Sequence, residues 1–283
     1  SYTDFATLGT VADLMPMRDE NRALVADGLA RMNANPRPCI AALLATTGQA
    51  GKPMTATNLS FSLIPRLNAA GRMGNADLAL DLLMCDNYGE CCAMAERLEE
   101  VNNQRRAIEA ELSDIARAQA SEIYRGQRAL VVAGEGWHEG VKGIVASRLV
   151  NTYGVPSLLF TVDGDEARGS GRSVGNVNLF EAVESLSHLT TRFGGHGAAV
   201  GVTIPVENLR AFAEGLDAYM QRLPEAAFHP LTTVDAAVSL DELTLETVAM
   251  VDRLAPFGQE NPQPVFLARN VTLANTRAVG QTK

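Results

Sequence analysis

The chain has 283 residues and a mass of 30.2 kDa, with 46% hydrophobic, 20% charged and 5% aromatic residues. This is the balance of a folded protein of about two domains, which excludes a disulfide mini-protein and a disordered chain. A net charge of −9 and a pI near 5.0 argue against coating of nucleic acid by bulk positive charge.

The four cysteines, Cys39, Cys85, Cys91 and Cys92, have no C-x-x-C spacing, which argues against a zinc site or a disulfide framework. No charged start followed by an apolar run resembles a signal peptide. Apolar runs such as Ala129 to Ala133 fall far short of the roughly 20 residues that span a bilayer. A cytoplasmic location is therefore expected. The chain opens at Ser1 without Met and stops inside a strand pattern begun at Val271, so it reads as a fragment of a longer protein.

Residues 1–74 mix short apolar segments with turns. In Leu8-Gly-Thr-Val-Ala-Asp13 an aspartate follows a Gly-Thr turn in apolar sequence. A buried carboxylate needs a partner or a cation, so Asp13 is a candidate ligand for a hard metal, with a capping or salt-bridged aspartate as the alternative. Asp19 is expected to cap a helix from about Glu20 to Met32 with the stripe Ala23, Leu24, Ala26, Leu29 and Ala30, ended by the Pro36 to Pro38 turn. In Pro65-Arg-Leu-Asn-Ala-Ala-Gly-Arg72, small residues allow close backbone approach. Arg66 and Arg72 offer fork-shaped donors for phosphate there, and Asn68 adds a neutral one. Solvated arginines on a loop are the alternative.

A helix is predicted over Ala76 to Cys85 and a long one over Tyr88 to Arg125. In the long helix Met94, Leu98, Val101, Arg105, Ile108, Leu112 and Ile115 recur at intervals of three and four. Arg105 interrupts that seam, which favours a helix connecting two domains over a free coiled coil.

Beyond Gly126 short strands and helices alternate, the pattern of an α/β domain. Strands are expected at Ala129 to Ala133 and Pro156 to Val162, and helices at Val141 to Thr152, Leu179 to Leu186 and Val206 to Leu223. The loop Gly134-Glu-Gly-Trp-His-Glu-Gly140 holds the only tryptophan. Trp137 could stack on a base and His138 contact phosphate, or Trp137 could be a packing anchor. A Gly/Ser-rich turn at Arg168 to Ser173 and the run Phe193-Gly-Gly-His-Gly-Ala-Ala-Val-Gly201 expose backbone N–H groups. With Ser170, Arg172 and His196 they could cradle phosphate, although neither matches a Walker loop or a Rossmann fingerprint. Pro224 to Pro230 reads as a linker, Leu245 to Leu254 as a short helix, and Pro256 to Pro264 as a turn region before the final strands.

Taken in order, the stretches LGTVADLMPMRDENRALVADGL, PRLNAAGRMGNADLALDLL, GEGWHEGVKGIVASRLV, GSGRS, FGGHGAAVGVTI and LAPFGQENPQPVF resemble the RecJ family of the DHH phosphoesterase superfamily, across almost the whole chain. The resemblance implies an α/β fold of two α/β domains joined by a long helix and followed by the start of an OB-fold β-barrel. Its expected divisions are 1–84, the C-terminal part of a DHH domain; 85–126, the connecting helix; 127–224, the DHH-associated domain; and 225–283, a linker and the OB-fold start. It further implies a nuclease that removes nucleotides from the 5′ end of single-stranded DNA with two Mn2+ or Mg2+ ions, in repair and recombination. Asp13 matches a metal-ligand motif Gly-Thr-x-x-Asp, and Arg72 the arginine at the 5′-phosphate end, with Arg66 and Asn68 alongside. Ser170, Arg172, Gly194, Gly195 and His196 match the associated domain's substrate-facing loops. Implied partners are single-stranded DNA, a single-strand-binding protein and a helicase, in a monomer.

The family's Asp-x-Asp and Asp-His-His motifs are missing, and no two histidines are adjacent in the chain. These ligands are expected upstream of Ser1, so this piece alone is expected to be inert. Two alternatives remain: a DHH phosphoesterase acting on oligoribonucleotides or cyclic dinucleotides, and a non-catalytic DNA-binding relative. The acid is unevenly placed. Residues 75–127 carry 5 basic and 11 acidic groups, whereas residues 1–74 carry 7 and 5. An acidic total is thus compatible with a narrow arginine-lined cleft for one strand.

Overall fold

Glycines, prolines and capping side chains mark many of the element boundaries. In chain order these are α1 (Thr3–Ala12), α2 (Asp19–Ala34), α3 (Pro38–Thr46), α4 (Ala56–Phe61), α5 (Leu63–Arg72), α6 (Ala76–Met84), α7 (Tyr88–Ile123), β1 (Leu130–Glu135), α8 (Glu139–Tyr153), β2 (Ser157–Asp163), β3 (Glu166–Arg172), α9 (Leu179–Glu184), β4 (Arg192–His196), β5 (Ala199–Pro205), α10 (Leu209–Gln221), β6 (Ala236–Ala237), α11 (Leu245–Asp252) and β7 (Phe266–Leu267). The computed structural model describes residues 2–49, 51–272 and 274–277. They form two compact units, Ser1–Pro36 with Gly51–Phe61 and Thr232–Lys283, and Arg37–Ala50 with Ser62–Leu231. No helix among the described residues is long and apolar enough to cross a membrane.

In the first unit Gly9 and Thr10 are helical within α1 rather than a turn. The buried stripe of α2 is Val25, Gly28, Leu29 and Met32, rotated from the predicted Ala23 to Ala30 set. Gly28 decides this, because a Cβ there would run into the Thr7 hydroxyl and the Thr3 carbonyl of α1. Asp19 begins α2 and does not cap it with its side chain. The Met17 N–H donates to the Gln259 carbonyl at 2.6 Å, and the Arg22 guanidinium to the Leu254 carbonyl at 3.0 Å. These bonds fix the late segment onto the early helices. There β6 pairs parallel with β7, and the described residues contain no closed barrel. Of the strand pattern expected over Val271 to Lys283, the described residues 271–272 and 274–277 form no strand, and the others lie outside the described residues.

In the second unit Asn87 caps the 36-residue α7 by accepting the Glu90 N–H at 3.2 Å. Of the predicted seam, Leu98 and Leu112 are buried, whereas Ile115 is 47% exposed. The buried line instead runs through Cys91, Ala95, Leu98, Asn102, Glu109, Leu112, Ala116 and Ala120. It follows a straight 3.6-residue helix, from which a 3.5-residue seam drifts. One half packs on α3 and α5 and the other on α8 and β1, so α7 is a core element along its length. Arg105 is answered by a buried acid: Glu109 takes ion pairs from Arg105 and from Arg148 of α8, while Arg105 also donates to Asn102 at 2.8 Å. Near its start, burial pushes the Cys91 thiol up to about 12, so it stays protonated.

The sheet has the order β1-β2-β3-β5-β4, with β1 and β2 parallel and the other pairs antiparallel. One face buries Leu158, Phe160, Ala167, Val200, Val202 and Ile204 against α9 and α10, with Phe160 edge-on to Phe212 at 5.7 Å. Phe228 joins this core and anchors the exposed segment Pro224 to Pro230, expected as a linker. The opposite face buries Leu130, Val132 and Leu159 under α7 and α8, which cover chiefly the β1–β2 side. Arg168 to Ser173, expected as a turn, lies mostly on β3. Its glycines answer to packing: a Cβ at Gly169 would stand 2.6 Å from the Phe160 ring, and one at Gly171 2.8 Å from Leu158.

Candidate nucleic-acid interface

Strand pairing arranges the polar residues of the second unit in rows. On the face that carries α8, directly opposed residues on β3, β5 and β4 are Arg172, Ala199 and His196; then Ser170, Gly201 and Gly194; then Arg168, Thr203 and Arg192. Residues two apart on a strand share a face, and adjacent strands lie about 4.8 Å apart. The expected Gly-rich cradle is therefore a flat sheet surface. Gly195 is on the other face, with φ of 139° and no room for a Cβ beside Ala199, which makes it a hairpin residue.

Helix α8 carries this surface to Arg72. Pro65 to Arg72 is helical, within α5, which rules out the alternative of a loop, and Asn68 and Arg72 share one of its faces. The Arg72 guanidinium donates to the Gly140 carbonyl at 3.0 Å. A Cβ at Gly140 would collide with the Arg72 carbonyl, and one at Gly143 would stand 2.5 Å from the Arg172 guanidinium. These two glycines let both arginines approach the first turns of α8. Arg172 also donates to its neighbour's carbonyl, Gly171, at 2.8 Å and reaches the Ser170 hydroxyl at 3.5 Å. Burial, and then the charge of Arg72, push Arg172 below its ordinary range. Among the described residues neither arginine pairs with a carboxylate. Two guanidinium groups held against the first turns of α8, neither with a carboxylate partner among the described residues, have the chemistry to bind a phosphate.

Gly140→Ala is expected to force α5 and α8 apart and to lower stability by about 1–3 kcal/mol. Gly71→Ala, where nothing lies within 4 Å of the new methyl, should stabilise α5 instead. Thermal unfolding of the two variants checks the contrast.

The other expected site residues are placed as follows. Arg66 is tied to Glu99 of α7 and donates to the Ser62 carbonyl at 2.7 Å, which holds it away from Arg72. The Trp137 indole lies across Gly134 and packs on the α7–α8 core, the anchoring alternative. His138 caps α8, its Nδ1 accepting the Gly140 N–H at 3.1 Å. His196 is exposed, with Nδ1 accepting the Ala198 N–H at 3.3 Å. Asp13, in the first unit, is an exposed residue at the C-terminal end of α1 and not a buried carboxylate. Among the described residues no group of three or more His, Cys, Asp or Glu could hold a metal ion.

Sequence reasoning missed Gly140, Gly143, Lys142, Arg168, Arg192, Gly201 and Thr203. Lys142 is fully buried, and its Nζ donates to Glu139 at 2.8 Å and to the Arg168 carbonyl, clamping α8 to β3. Burial pushes its pKa down. The alternation Arg168-Gly-Ser170-Gly-Arg172 is a period-two strand signal, masked because glycine is also the commonest turn marker.

Comparison with known proteins matches residues 126–222 to the DHHA1 domain and residues 234–283 to the RecJ OB domain. The chain is 34% identical over 283 residues to the single-stranded-DNA-specific exonuclease RecJ of Bacillus subtilis, covering 99% of this chain and 36% of that protein. It is 32% identical to the Escherichia coli protein of the same name, covering 98% of this chain and 50% of that one. The crystal structure of Thermus thermophilus RecJ with Mn2+ superposes with a TM-score of 0.84 at 31% identity, over 94% of this chain and 39% of that one; the Mg2+ complex gives 0.83. The chain thus spans about a third to a half of the length of these relatives.

Proposed function

Because the chain belongs to the RecJ family, of which it carries the DHHA1 and OB domains, we propose that it grips the 5′-phosphate end of single-stranded DNA for exonucleolytic hydrolysis. The observation that carries this is the pair Arg72 and Arg172, held against the start of α8 with no acidic partner among the described residues. Fork-shaped donors suit the terminal phosphate, Ser170 adds a hydroxyl, and Asn68 and His196 stand at the margins. Gly194 leaves open space above the sheet for the chain of the nucleic acid to approach.

The Thermus structures contain Mg2+ or Mn2+, and Asp13 is the carboxylate of this chain that matches the family's ligand motif. The described residues do not fit a complete metal centre, so the chain's own part is confined to binding and orienting the strand. The division at 84, 126 and 224, and the pairing with a single-strand-binding protein and a helicase as a monomer, belong to the same proposal. The DHHA1 match over 126–222 supports the third segment.

Titration of the chain with 5′-phosphorylated and 5′-hydroxyl single-stranded oligonucleotides tests the reading. The phosphorylated strand should bind about tenfold or more tightly, the worth of one charge-assisted hydrogen-bond set. With Mn2+ added, the chain alone should release no mononucleotides. Equal affinities for the two ends would overturn the 5′-phosphate assignment.

A further inference from the structure

The row Arg168, Thr203 and Arg192 lies on the same sheet face as Ser170 and Arg172 but plays no part in gripping the 5′ end. We propose that it is a second anion subsite, which holds a later phosphate of the same bound strand. The proposal rests on the 5′-end reading above and extends it along the sheet.

Four observations carry it. Arg168 and Arg192 lie on either side of Thr203, two strand spacings apart, so about 10 Å separates their Cα atoms. Two long side chains at that separation can close on one phosphate, with the Thr203 hydroxyl beneath it. A groove of about 450 Å3 opens there, lined by both arginines, Thr203, Gly194, Gly201 and Glu139. Its floor is made by Gly194 and Gly201, directly opposed on β4 and β5, and neither would meet any atom within 4 Å if it carried a Cβ. Gly169 and Gly171 are required by packing; these two are not. Glycine weakens a strand, and at a position without a bulge or a packing demand it fits close approach by a ligand.

The nearby acids leave the row cationic. Asp163 meets Arg168 at 3.3 Å, with both side chains half or more exposed, where such a pair is weak and readily exchanged. The Glu139 carboxylate is held by the buried Lys142. Arg192 has no ion pair among the described residues. From Arg172 to Arg168 the strand advances four residues, about 13 Å, too far for one phosphate to serve both ends. The ligand is therefore a strand carrying several phosphates, and the Ser170–Gly201–Gly194 row forms the trough between them.

The test uses pT, pTpT and pTpTpT as ligands for the wild-type chain and for the Arg168→Gln/Arg192→Gln double variant. Both arginines are exposed, so the variant should unfold at the wild-type temperature. Wild type should gain affinity from pT to pTpTpT, and the variant should lose about 5- to 20-fold of that gain while binding pT as before. Its slope of log K against log salt for the longest ligand should flatten by about 0.7 per lost phosphate contact. A gain equal to wild type, or a fall in pT binding as large as that in pTpTpT, would overturn the second subsite alone. A wild-type chain that binds none of the three would overturn the 5′-end reading together with it.

Discussion

Arg172→Gln is expected to lower affinity for a 5′-phosphorylated single strand by about 10- to 100-fold, while affinity for the 5′-hydroxyl strand falls by less than threefold. A charge-assisted hydrogen bond contributes about 1.5–3 kcal/mol, and each 1.4 kcal/mol is a factor of ten. The environment of Arg172 favours the upper part of that range. Its guanidinium is half-buried against Gly143, repelled by Arg72, and paired with no carboxylate among the described residues, so a bound phosphate relieves an existing penalty. Glutamine keeps a donor near Ser170 and removes the charge. Calorimetric titration with the two strands reads the ratio of affinities. If that ratio is unchanged, the terminal phosphate is held elsewhere.

Glu109→Ala is expected to cost about 3–5 kcal/mol, the range for removing one partner of a buried ion pair. Glu109 is 4% exposed and answers two guanidinium groups, from Arg105 one turn earlier on α7 and from Arg148 on α8. Without it Arg105, whose side chain is largely buried, keeps among the described residues only the hydrogen bond to Asn102. At about 2–4 °C per kcal/mol for a unit of this size, the melting temperature should fall by roughly 10 °C. The double replacement Arg105→Met/Glu109→Leu should recover much of the loss, because a packed apolar pair requires no buried counter-charge. If the double variant melts as low as Glu109→Ala, the loss lies in packing and not in the unpaired charge.

From β1 onward the two parallel strands and the helices α8, α9 and α10 were legible as short runs with a single period, whereas β3, β4 and β5 were not, because their glycines read as turns. The early residues were harder to read. The burial face of α2 depends on Gly28 meeting α1, a contact that no periodicity within α2 encodes. In α7 the apolar seam gave way to alanines and one ion-pair network, because close helix packing selects small residues over large ones. Of the site, Arg72, Ser170 and Arg172 were found from residue chemistry. Arg66 has the same chemistry but is held by Glu99 of α7, a partner that lies outside its own motif. Arg168, Thr203 and Arg192 were not found, since their opposition across three strands is a property of sheet register.

That register carries a consequence for how the chain can vary. The polar side chains of the proposed interface sit on a strand lattice whose other face is the Phe160 core. Deleting or inserting one residue within β3 would move every residue on one side of the change to the opposite face, turning arginines or Ser170 towards the core or core residues out of it. Point substitutions at the same lattice points leave the backbone untouched. Natural and engineered diversity on this surface should therefore accumulate as exchanges of residue type at constant strand length, and changes of length should be confined to the turns that join the strands.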